Sequence, residues 1–158
     1  MLKRLLDICV SGLALLLLSP VLVVLAILVR VKLGSPVLFR QTRPGLHGEP
    51  FEMMKFRTMT DGRDANGELL PDDQRLVPFG RFLRSSSLDE LPELLNVLRG
   101  DMSLVGPRPM LPEQLALYGD ATHYFALRPG ITGYWQVSQR STSAFRARVA
   151  LDTAYDYD

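Results

Sequence analysis

Cysteine and histidine are scarce in this sequence, and their scarcity excludes several kinds of site. Cys9 is the only cysteine among 158 residues, so the chain can form neither an internal disulfide nor a Cys-x-x-Cys metal site. Cys9 lies in an apolar run, which fits a reducing compartment or a thiol buried in a membrane. The two histidines, His47 and His123, are far apart, and His47 lies in a glycine-rich turn. We therefore interpret His47 as a loop residue rather than a metal ligand.

An excess of charge of one sign is also absent. Lys and Arg together number 18 and Asp and Glu 17, which gives a formal net charge of +1. The overall electrostatics therefore do not favour nucleic acid as a partner. No internal repeat or low-complexity tract interrupts the chain, and a chain of this length normally forms one domain with its own core.

Charged residues are missing altogether from residues 8–29. A straight helix of this length is about 33 Å long, which is enough to cross a bilayer. A cleaved signal peptide is disfavoured, because the run is too long and no A-x-A-like site follows it. Two alternatives remain: a simple transmembrane anchor, or a re-entrant helical hairpin that enters and leaves by the same face. Either one attaches the chain to a membrane.

Ser19-Pro20 lies near the middle of this run and favours the hairpin. Pro20 cannot donate a hydrogen bond to the Leu16 carbonyl, so we expect a kink there, and Ser19 can reach back to a carbonyl of the preceding turn. Each half is then about 18 Å long, too short to cross alone. Basic residues flank both ends of the run, which predicts that both ends stay in the cytoplasm. Proline kinks also occur in spanning helices, so the residues alone leave both alternatives open.

Residues 37–41 and 51–57 have the composition of two short strands, and the Pro-Gly and His-Gly pairs between them predict a β-hairpin. Lys55 and Arg57 share one face of the second strand, where they could hold a phosphate. A solvated strand edge is the alternative. Residues 77–84 predict a short amphipathic helix, which either lies in the lipid headgroup plane or packs against the core.

The stretch from Ser87 to Gly100 predicts a short helix with Asp89 and Glu90 in its first turn. Ser87 and Glu90 have capping-box spacing, although Pro92 makes Asp89 an alternative N-cap. In either register the helix dipole would favour an ionised Asp89, as a nucleophile or a metal ligand requires. Gly100 predicts the helix end, and an inward stripe is expected from Leu88, Leu91, Leu94, Leu95 and Leu98. From these residues alone, a simple capping role for Asp89 is the alternative.

Further along, Arg84 lies five residues before Asp89, within reach of an anion bound there. Arg108 stands between two prolines, which would hold it rigidly for a phosphate or carboxylate. We expect a helix over residues 112–125, a turn over 128–133, and a short strand or extended segment over 134–137. A last helix from residue 144 would carry Asp152 on an apolar face, paired with Arg148 or acting at a site.

Seven motifs, in order, resemble one family over essentially the whole chain: the monotopic polyprenyl-phosphate phosphoglycosyl transferases, or bacterial sugar transferases. The motifs are the apolar hairpin with Ser19-Pro20, Phe39-x-Gln41-x-Arg43-x-Gly45, Lys55-Phe56-Arg57-Thr58-Met59, Ser87-Leu88-Asp89-Glu90-Leu91-Pro92, the block from Gly100 to Pro109, the block from Arg128 to Gly133, and Asp152-x-x-Tyr155.

The resemblance implies an α+β fold, with a re-entrant membrane helix in residues 1–33 and a small, mostly helical cytoplasmic catalytic domain in residues 34–158. This domain would carry the β-hairpin and amphipathic interfacial helices, and would lie on the cytoplasmic face of the bacterial inner membrane. The implied reaction moves a sugar-1-phosphate from a UDP-sugar onto a polyprenyl phosphate such as undecaprenyl phosphate and releases UMP. This reaction initiates exopolysaccharide, lipopolysaccharide or glycoconjugate synthesis.

The resemblance also implies roles for individual residues. Asp89 would be the nucleophile, forming a covalent phosphosugar–aspartate, and a ligand of the cofactor Mg²⁺. Glu90 would assist with the metal and the acceptor phosphate. Phosphoryl transfer needs fixed cations, and the candidates for binding phosphate or nucleotide sugar are Lys55, Arg57, Arg84, Arg108 and Arg140, with Asp152 as a supporting acid.

Two departures from the family pattern concern the C-terminal part. After Gln136-Val137 the chain has Ser138-Gln139-Arg140-Ser141 instead of Asn-Gly-Arg-Asn, which leaves the sugar undetermined between galactose, glucose and an N-acetylated sugar, with a lean towards galactose or glucose. The chain stops at Asp158, where family members continue, so truncation with loss of activity is left open. A non-catalytic membrane scaffold and a conventional glycosyltransferase are the alternatives, and homo-oligomers or contacts with downstream glycosyltransferases are open.

Overall fold

One long helix and a set of short elements make up the computed structural model, which describes residues 1–138. The helices are α1 (Leu2–Lys32), α2 (Asp72–Arg75), α3 (Pro78–Ser85), α4 (Glu93–Arg99), α5 (Thr122–Phe125) and α6 (Tyr134–Ser138). The strands are β1 (Leu38–Pro44), β2 (Pro50–Phe56), β3 (Ser103–Val105) and β4 (Gly130–Thr132). Turns of 3₁₀ helix cover Leu46–Gly48, Leu88–Glu90 and Pro112–Tyr118. This mixture of helix and sheet agrees with the expected α+β class.

Helix α1 is helical on both sides of Pro20. The Ser19 hydroxyl donates to the Leu16 carbonyl over 2.8 Å, which confirms the predicted compensation for the missing proline N–H. Large apolar side chains in the middle of the helix are exposed, such as Leu17 (68%) and Val23 (59%). Within residues 1–138, α1 is the one helix long and apolar enough to cross a membrane, judged by length and composition.

The N-terminal end of α1 is bound to the rest of the protein by polar contacts. The Arg4 guanidinium donates to the carbonyls of Val97 and Leu98 in the last turn of α4, where a cation also meets the negative end of the helix dipole. Asp7 is buried and accepts a hydrogen bond of 2.8 Å from the hydroxyl of Ser103 in β3. The start of α1 is therefore fixed against α4 and β3.

The C-terminal end of α1 is held by apolar packing. Leu25, Val29 and Leu33 are at most 6% exposed and form one cluster with Phe56 of β2 and Leu83 of α3. Burying side chains of this size stabilises each by roughly 1.5–3 kcal/mol. Both ends of α1 thus contact the same domain, while Leu17 and Val23 in its middle are exposed.

The predicted β-hairpin is confirmed. Strands β1 and β2 pair antiparallel, with Leu38 opposite Phe56, Phe39 opposite Lys55, and Pro44 opposite Pro50. Met53 and Met54 of β2 are buried. The hairpin therefore packs against the rest of the protein through β2, and Lys55 follows these two buried methionines directly.

Asn96 of α4 joins that helix to β2. Its side chain is fully buried; Oδ1 accepts from the Met54 N–H over 3.1 Å, and Nδ2 donates to the Glu52 carbonyl over 2.7 Å. Nδ2 also lies 3.2 Å from Oδ2 of Asp101, just after the helix. A hydrogen-bonded side chain at this depth sets the position of α4 relative to β2.

The predicted capping box at Ser87 is wrong, and so is Asp89 as an N-cap. Ser87 has a positive φ of 58° and makes no side-chain cap, and the 3₁₀ turn Leu88–Glu90 precedes α4, whose N-cap is Pro92. Pro92 explains the break, because a helix starting at Leu88 would need the N–H that proline lacks. The predicted helix end at Gly100 is confirmed by its φ of 102°.

The predicted leucine stripe is correct only in part. Leu94 is buried and Leu98 is 39% exposed, while Val97 and Asn96 occupy the buried face. Because α4 begins at Glu93 rather than near Ser87, its buried face is shifted from the one that the longer helix would have presented.

Three expectations for the second half of the chain are corrected. The predicted turn contains β4, which pairs parallel with β3, and the segment expected to be extended is helix α6. The pairing stops after Val105 and Thr132, since Pro107 has no N–H with which to continue it. The expected helix over 112–125 is divided into a 3₁₀ turn and α5, with Gly119 at φ 65° between them.

Replacing Asn96 by Ala tests the joint between α4 and β2. The substitution removes the partner of the buried Met54 N–H and of the partly buried Glu52 carbonyl, which costs about 3 kcal/mol. For a chain of this size we expect the thermal midpoint to fall by about 10 °C. Circular dichroism of the purified protein in lipid nanodiscs measures it. The control is Asn66→Ala in the exposed loop, which should leave the midpoint unchanged; equal midpoints for the two variants would contradict the role of Asn96.

Candidate active site

A cavity of about 640 Å³ lies between β1, β2, α3 and the turn Leu88–Glu90. Six basic and four acidic side chains line it, so cations are in excess and an anionic ligand is favoured. The basic residues are Arg43, Lys55, Arg57, Arg75, Arg84 and Arg108, and the acidic ones are Asp61, Asp72, Asp89 and Glu90. Six of the predicted site residues thus meet at one cavity. The other two, Arg140 and Asp152, lie outside the described residues.

Asp89 is placed in the cavity wall by the 3₁₀ turn and is 7% exposed. Burial raises the pKa of its carboxyl; the positive charge of Lys55 lowers it, Glu90 raises it, and Arg84 lowers it. The sequence predicts a helix dipole that favours the ionised form of Asp89, but the turn spans only three residues and burial has the largest effect. A carboxylate withdrawn from water gains strongly from a cation bound beside it.

Lys55 lies between two carboxyl groups. Its ammonium is 3.0 Å from Oε1 of Glu90 and 3.3 Å from Oε1 of Glu93. Glu93 is 3% exposed, and burial raises its pKa to about 7, against the influence of Lys55. Sequence reasoning missed Glu93; the available signal was an acid three residues after Glu90 among leucines that were expected to be buried.

Arg57, the residue after β2, binds backbone and side-chain groups on both sides of the strand end. Its Nε donates to the Met59 carbonyl over 2.9 Å and its Nη1 to the Ser35 carbonyl over 2.6 Å, and the guanidinium also pairs with Asp61. The pKa of the Asp61 carboxyl is lowered by this hydrogen bond. Arg57 is therefore held at the cavity edge, next to the chain that leaves α1.

Arg84 is positioned by the close approach of α3 to the loop after β2. A Cβ atom on Gly80 would lie 1.9 Å from the Thr58 carbonyl oxygen, so only glycine permits this approach. The Arg84 Nε then donates to the Thr58 hydroxyl over 2.9 Å. This contact directs a cation to the cavity that holds Asp89.

The backbone on both sides of Arg108 is fixed by a tyrosine. The Tyr124 hydroxyl donates to the Arg108 carbonyl over 2.7 Å and accepts from the Met110 N–H over 3.0 Å. Tyr124 is 1% exposed. The two prolines predicted a rigid mount for Arg108, but Tyr124 was missed, because it contacts residues 14 and 16 positions away through packing that no local pattern encodes.

A second, smaller cavity of about 30 Å³ lies beside the large one. Arg43, Lys55, Glu90 and Arg108 line both, whereas Glu93 and Gln136 line the small one only. Arg43 was part of a recognised motif but was not predicted as a site residue. Its Nη1 donates to the Pro109 carbonyl over 3.2 Å, which connects β1 to the segment of Arg108.

The donors at the large cavity fit a particular kind of Mg²⁺ site. Residues 1–138 contain no group of three or more His, Cys, Asp or Glu side chains arranged for a metal ion. Mg²⁺ is commonly bound by one or two carboxylates together with substrate phosphates and water. Asp89 and its neighbour Glu90 supply such carboxylates, so the site suits a magnesium ion shared with a phosphate ligand rather than one enclosed by protein.

A buried carboxylate in the wall of a cavity with an excess of cations is typical of a site that binds a phosphate-bearing ligand. Comparison with known proteins agrees with this class. The family described as bacterial sugar transferase matches residues 1–157. The chain belongs to that family, and it is a transferase.

Individual relatives cover nearly the whole chain. The uncharacterized sugar transferase EpsL of Bacillus subtilis is 49% identical over 155 residues, which are 98% of this chain and 77% of that protein. A UDP-glucose:undecaprenyl-phosphate glucose-1-phosphate transferase of Caulobacter vibrioides is 42% identical over 97% of this chain and 61% of its own length. An undecaprenyl-phosphate galactose phosphotransferase of Salmonella typhimurium is 40% identical over 98% of this chain and 36% of its own length.

Proposed function

We propose that this protein transfers a hexose-1-phosphate from a UDP-sugar to undecaprenyl phosphate and releases UMP. The observation that carries the proposal is the position of Asp89: a buried carboxylate in a cavity with an excess of cations. A 640 Å³ cavity lies within the size range of sites for small molecules and cofactors. The names of the Caulobacter and Salmonella relatives support glucose or galactose as the sugar.

The reaction follows from a carboxylate nucleophile in two displacements. First, an Asp89 oxygen attacks the β-phosphorus of the UDP-sugar; the bond from that phosphorus to the bridging oxygen breaks, and UMP leaves with the electron pair. The sugar-1-phosphate is then joined to Asp89 as an acyl phosphate. Second, an oxygen of the lipid phosphate attacks the same phosphorus and releases the Asp89 carboxylate. Neither step needs an external oxidant or reductant.

Other residues of the cavity have supporting roles in this scheme. Arg84, which donates to the Thr58 hydroxyl in the cavity wall, and Arg108, whose carbonyl accepts from Tyr124, would bind phosphate oxygens, since phosphoryl transfer depends on positioning and neutralising charge. Lys55 would offset the charge of the carboxyl pair. Asp89, with Glu90, would hold Mg²⁺, which when bound supplies charge neutralisation between carboxylate and diphosphate.

UMP release tests the function. Full-length protein in membranes, given undecaprenyl phosphate, is assayed against a panel of UDP-sugars, and we expect release with UDP-glucose or UDP-galactose. Asp89→Asn removes the nucleophilic charge with almost no change of shape, so release should fall below about 1% of the wild-type rate. Asp73→Asn, at an exposed acid that does not line the cavity, is the matched control and should keep full activity.

Two results would overturn the proposal. The absence of UMP release with every UDP-sugar, from wild-type protein that is folded, would favour the scaffold alternative. Full activity of Asp89→Asn would remove Asp89 as the nucleophile even if the transfer itself occurs.

We also propose that α1 is re-entrant and that the domain lies on the cytoplasmic face of the inner membrane. Arg4 near the start of α1 and Val29 near its end both contact the same domain. In a straight spanning helix these residues would be about 38 Å apart, on opposite sides of the bilayer. One small domain could not meet both. Basic residues at each end of α1 favour the cytoplasmic side for both.

Accessibility tags test this topology. A tag before Met1 and a second one in the loop at Asn66 should both react with a membrane-impermeant reagent only in inside-out vesicles. Reaction of the first tag in intact cells, with the second protected, would establish a simple span. The loop tag in inverted vesicles serves as the internal control for labelling.

A further inference from the structure

Lys55 is shared between the two cavities of the site. Its ammonium lies within 3.3 Å of Oε1 of both Glu90 and Glu93, and its side chain is 19% exposed. The ammonium donates one of its three hydrogens to Oε1 of Glu90, while Oε1 of Glu93 pairs with it by charge, so donors remain for a ligand. Glu90 lines the large cavity, but Glu93 lines only the small one and is not part of the wall that would face the UDP-sugar.

The distance between Glu93 and Lys55 is set by the backbone. Glu93 is the first residue of α4, and Asn96, three residues later, binds the backbone of β2 at Met54, next to Lys55. A shift of α4 along β2 would break these buried hydrogen bonds. The Glu93 carboxyl therefore lies at a fixed position beside the Lys55 ammonium. It stays there when a ligand binds.

The charge of Glu93 varies near neutral pH. Burial raises its pKa to about 7, with Lys55 opposing, Glu90 adding to the rise, and Arg108 lowering it. Arg43 of β1 also lines the small cavity. A protonated Glu93 offers Lys55 no negative charge, whereas an ionised Glu93 pairs with the ammonium and competes with a phosphate for the same cation.

We propose that Glu93 is a positioning residue, which holds the Lys55 ammonium from the side of the small cavity and thereby sets how strongly that cation binds a diphosphate in the large cavity. The inference rests on the proposed function for the identity of the substrate. It assigns Glu93 no contact with the substrate and no part in bond making. Its effect passes through Lys55.

Binding of inorganic diphosphate at several pH values tests this role. Dissociation constants for wild-type protein and Glu93→Gln are measured by calorimetry in nanodiscs, together with KM for the active UDP-sugar. For a pKa of about 7, the neutral fraction of Glu93 falls from about 90% at about pH 6 to about 10% at about pH 8. The ratio of wild-type to variant dissociation constants should therefore rise from near one to roughly tenfold at most.

Comparing the two proteins isolates Glu93, because titration of the diphosphate itself is common to both. Glu52→Gln is the matched control: it removes a charge from the same strand, at an exposed residue paired with Arg40 over 3.2 Å, and its ratio to wild type should not vary with pH. A ratio for Glu93→Gln that stays constant between these pH values would overturn the inference, and so would failure of the wild-type protein to bind diphosphate.

The two proposals can fail separately. UMP release by wild-type protein with a constant ratio would remove the role of Glu93 and leave the transferase function intact. A pH-dependent ratio without UMP release from any UDP-sugar would support the role of Glu93 and remove the transferase function.

Thermal unfolding gives a second readout for Glu93. Because its pKa is raised in the folded protein, the stability that it contributes is complete below its ordinary pKa and is lost as the pH rises through about 7. Glu93→Gln should therefore gain stability relative to wild type at about pH 8 compared with about pH 5. A change of midpoint that is the same at both pH values would indicate packing alone and would contradict the inference.

Discussion

The side chain of Asn96 holds the candidate site together. Its amide bonds the backbone of β2 on both sides of Met53 and so fixes α4 against the strand that carries Lys55. From this joint, the start of α4 presents Glu93 to Lys55, and the end of α4 offers carbonyls to Arg4 of α1. One buried amide thus connects the site with the helix proposed to enter the membrane. An unpaired buried amide is costly, so the joint resists sliding.

The charged side chains around Asp89 suit a substrate that carries phosphate. The carboxyl groups of Glu90 and Glu93 both lie beside the Lys55 ammonium, and burial disfavours the ionised forms of Glu93 and of Asp89. Arginines on α3 and after β3 add positive charge from other directions. A diphosphate with a bound divalent cation would satisfy both sets at once, since the metal meets carboxylates and the arginines meet phosphate oxygens. The proposed re-entrant helix would place the site beside the membrane, next to the headgroup of a lipid acceptor.

Local sequence patterns predicted some elements because their causes are local. Two apolar runs separated by turn residues were enough for the β-hairpin, and the positive φ at the end of α4 required Gly100. Lys55 was predicted from a motif, Arg84 from its position five residues before Asp89, and Arg108 from its flanking prolines. The capping box failed because Pro92 restarts the helix at Glu93, an effect that the spacing of Ser87 and Glu90 does not include.

Other features depend on distant contacts and could not be predicted locally. Strands β3 and β4 have three residues each, and the chain between them contains α5. Each strand is held by pairing with the other, and three residues are too few to show the alternation of apolar and polar side chains that predicts a strand. The fixing of Arg108 by Tyr124 and the joint at Asn96 are long-range hydrogen bonds. The raised pKa of Glu93 follows from burial, which is a property of the fold.

Trapping the covalent protein tests the central claim, that Asp89 takes up the phosphosugar, most directly. The protein is mixed with a UDP-sugar labelled in its β-phosphate, without lipid acceptor, and is then analysed by peptide mass spectrometry. We predict label on the peptide that contains Asp89, lost on addition of undecaprenyl phosphate and absent in Asp89→Asn. UMP release without any labelled peptide, or label that persists in Asp89→Asn, would contradict the account.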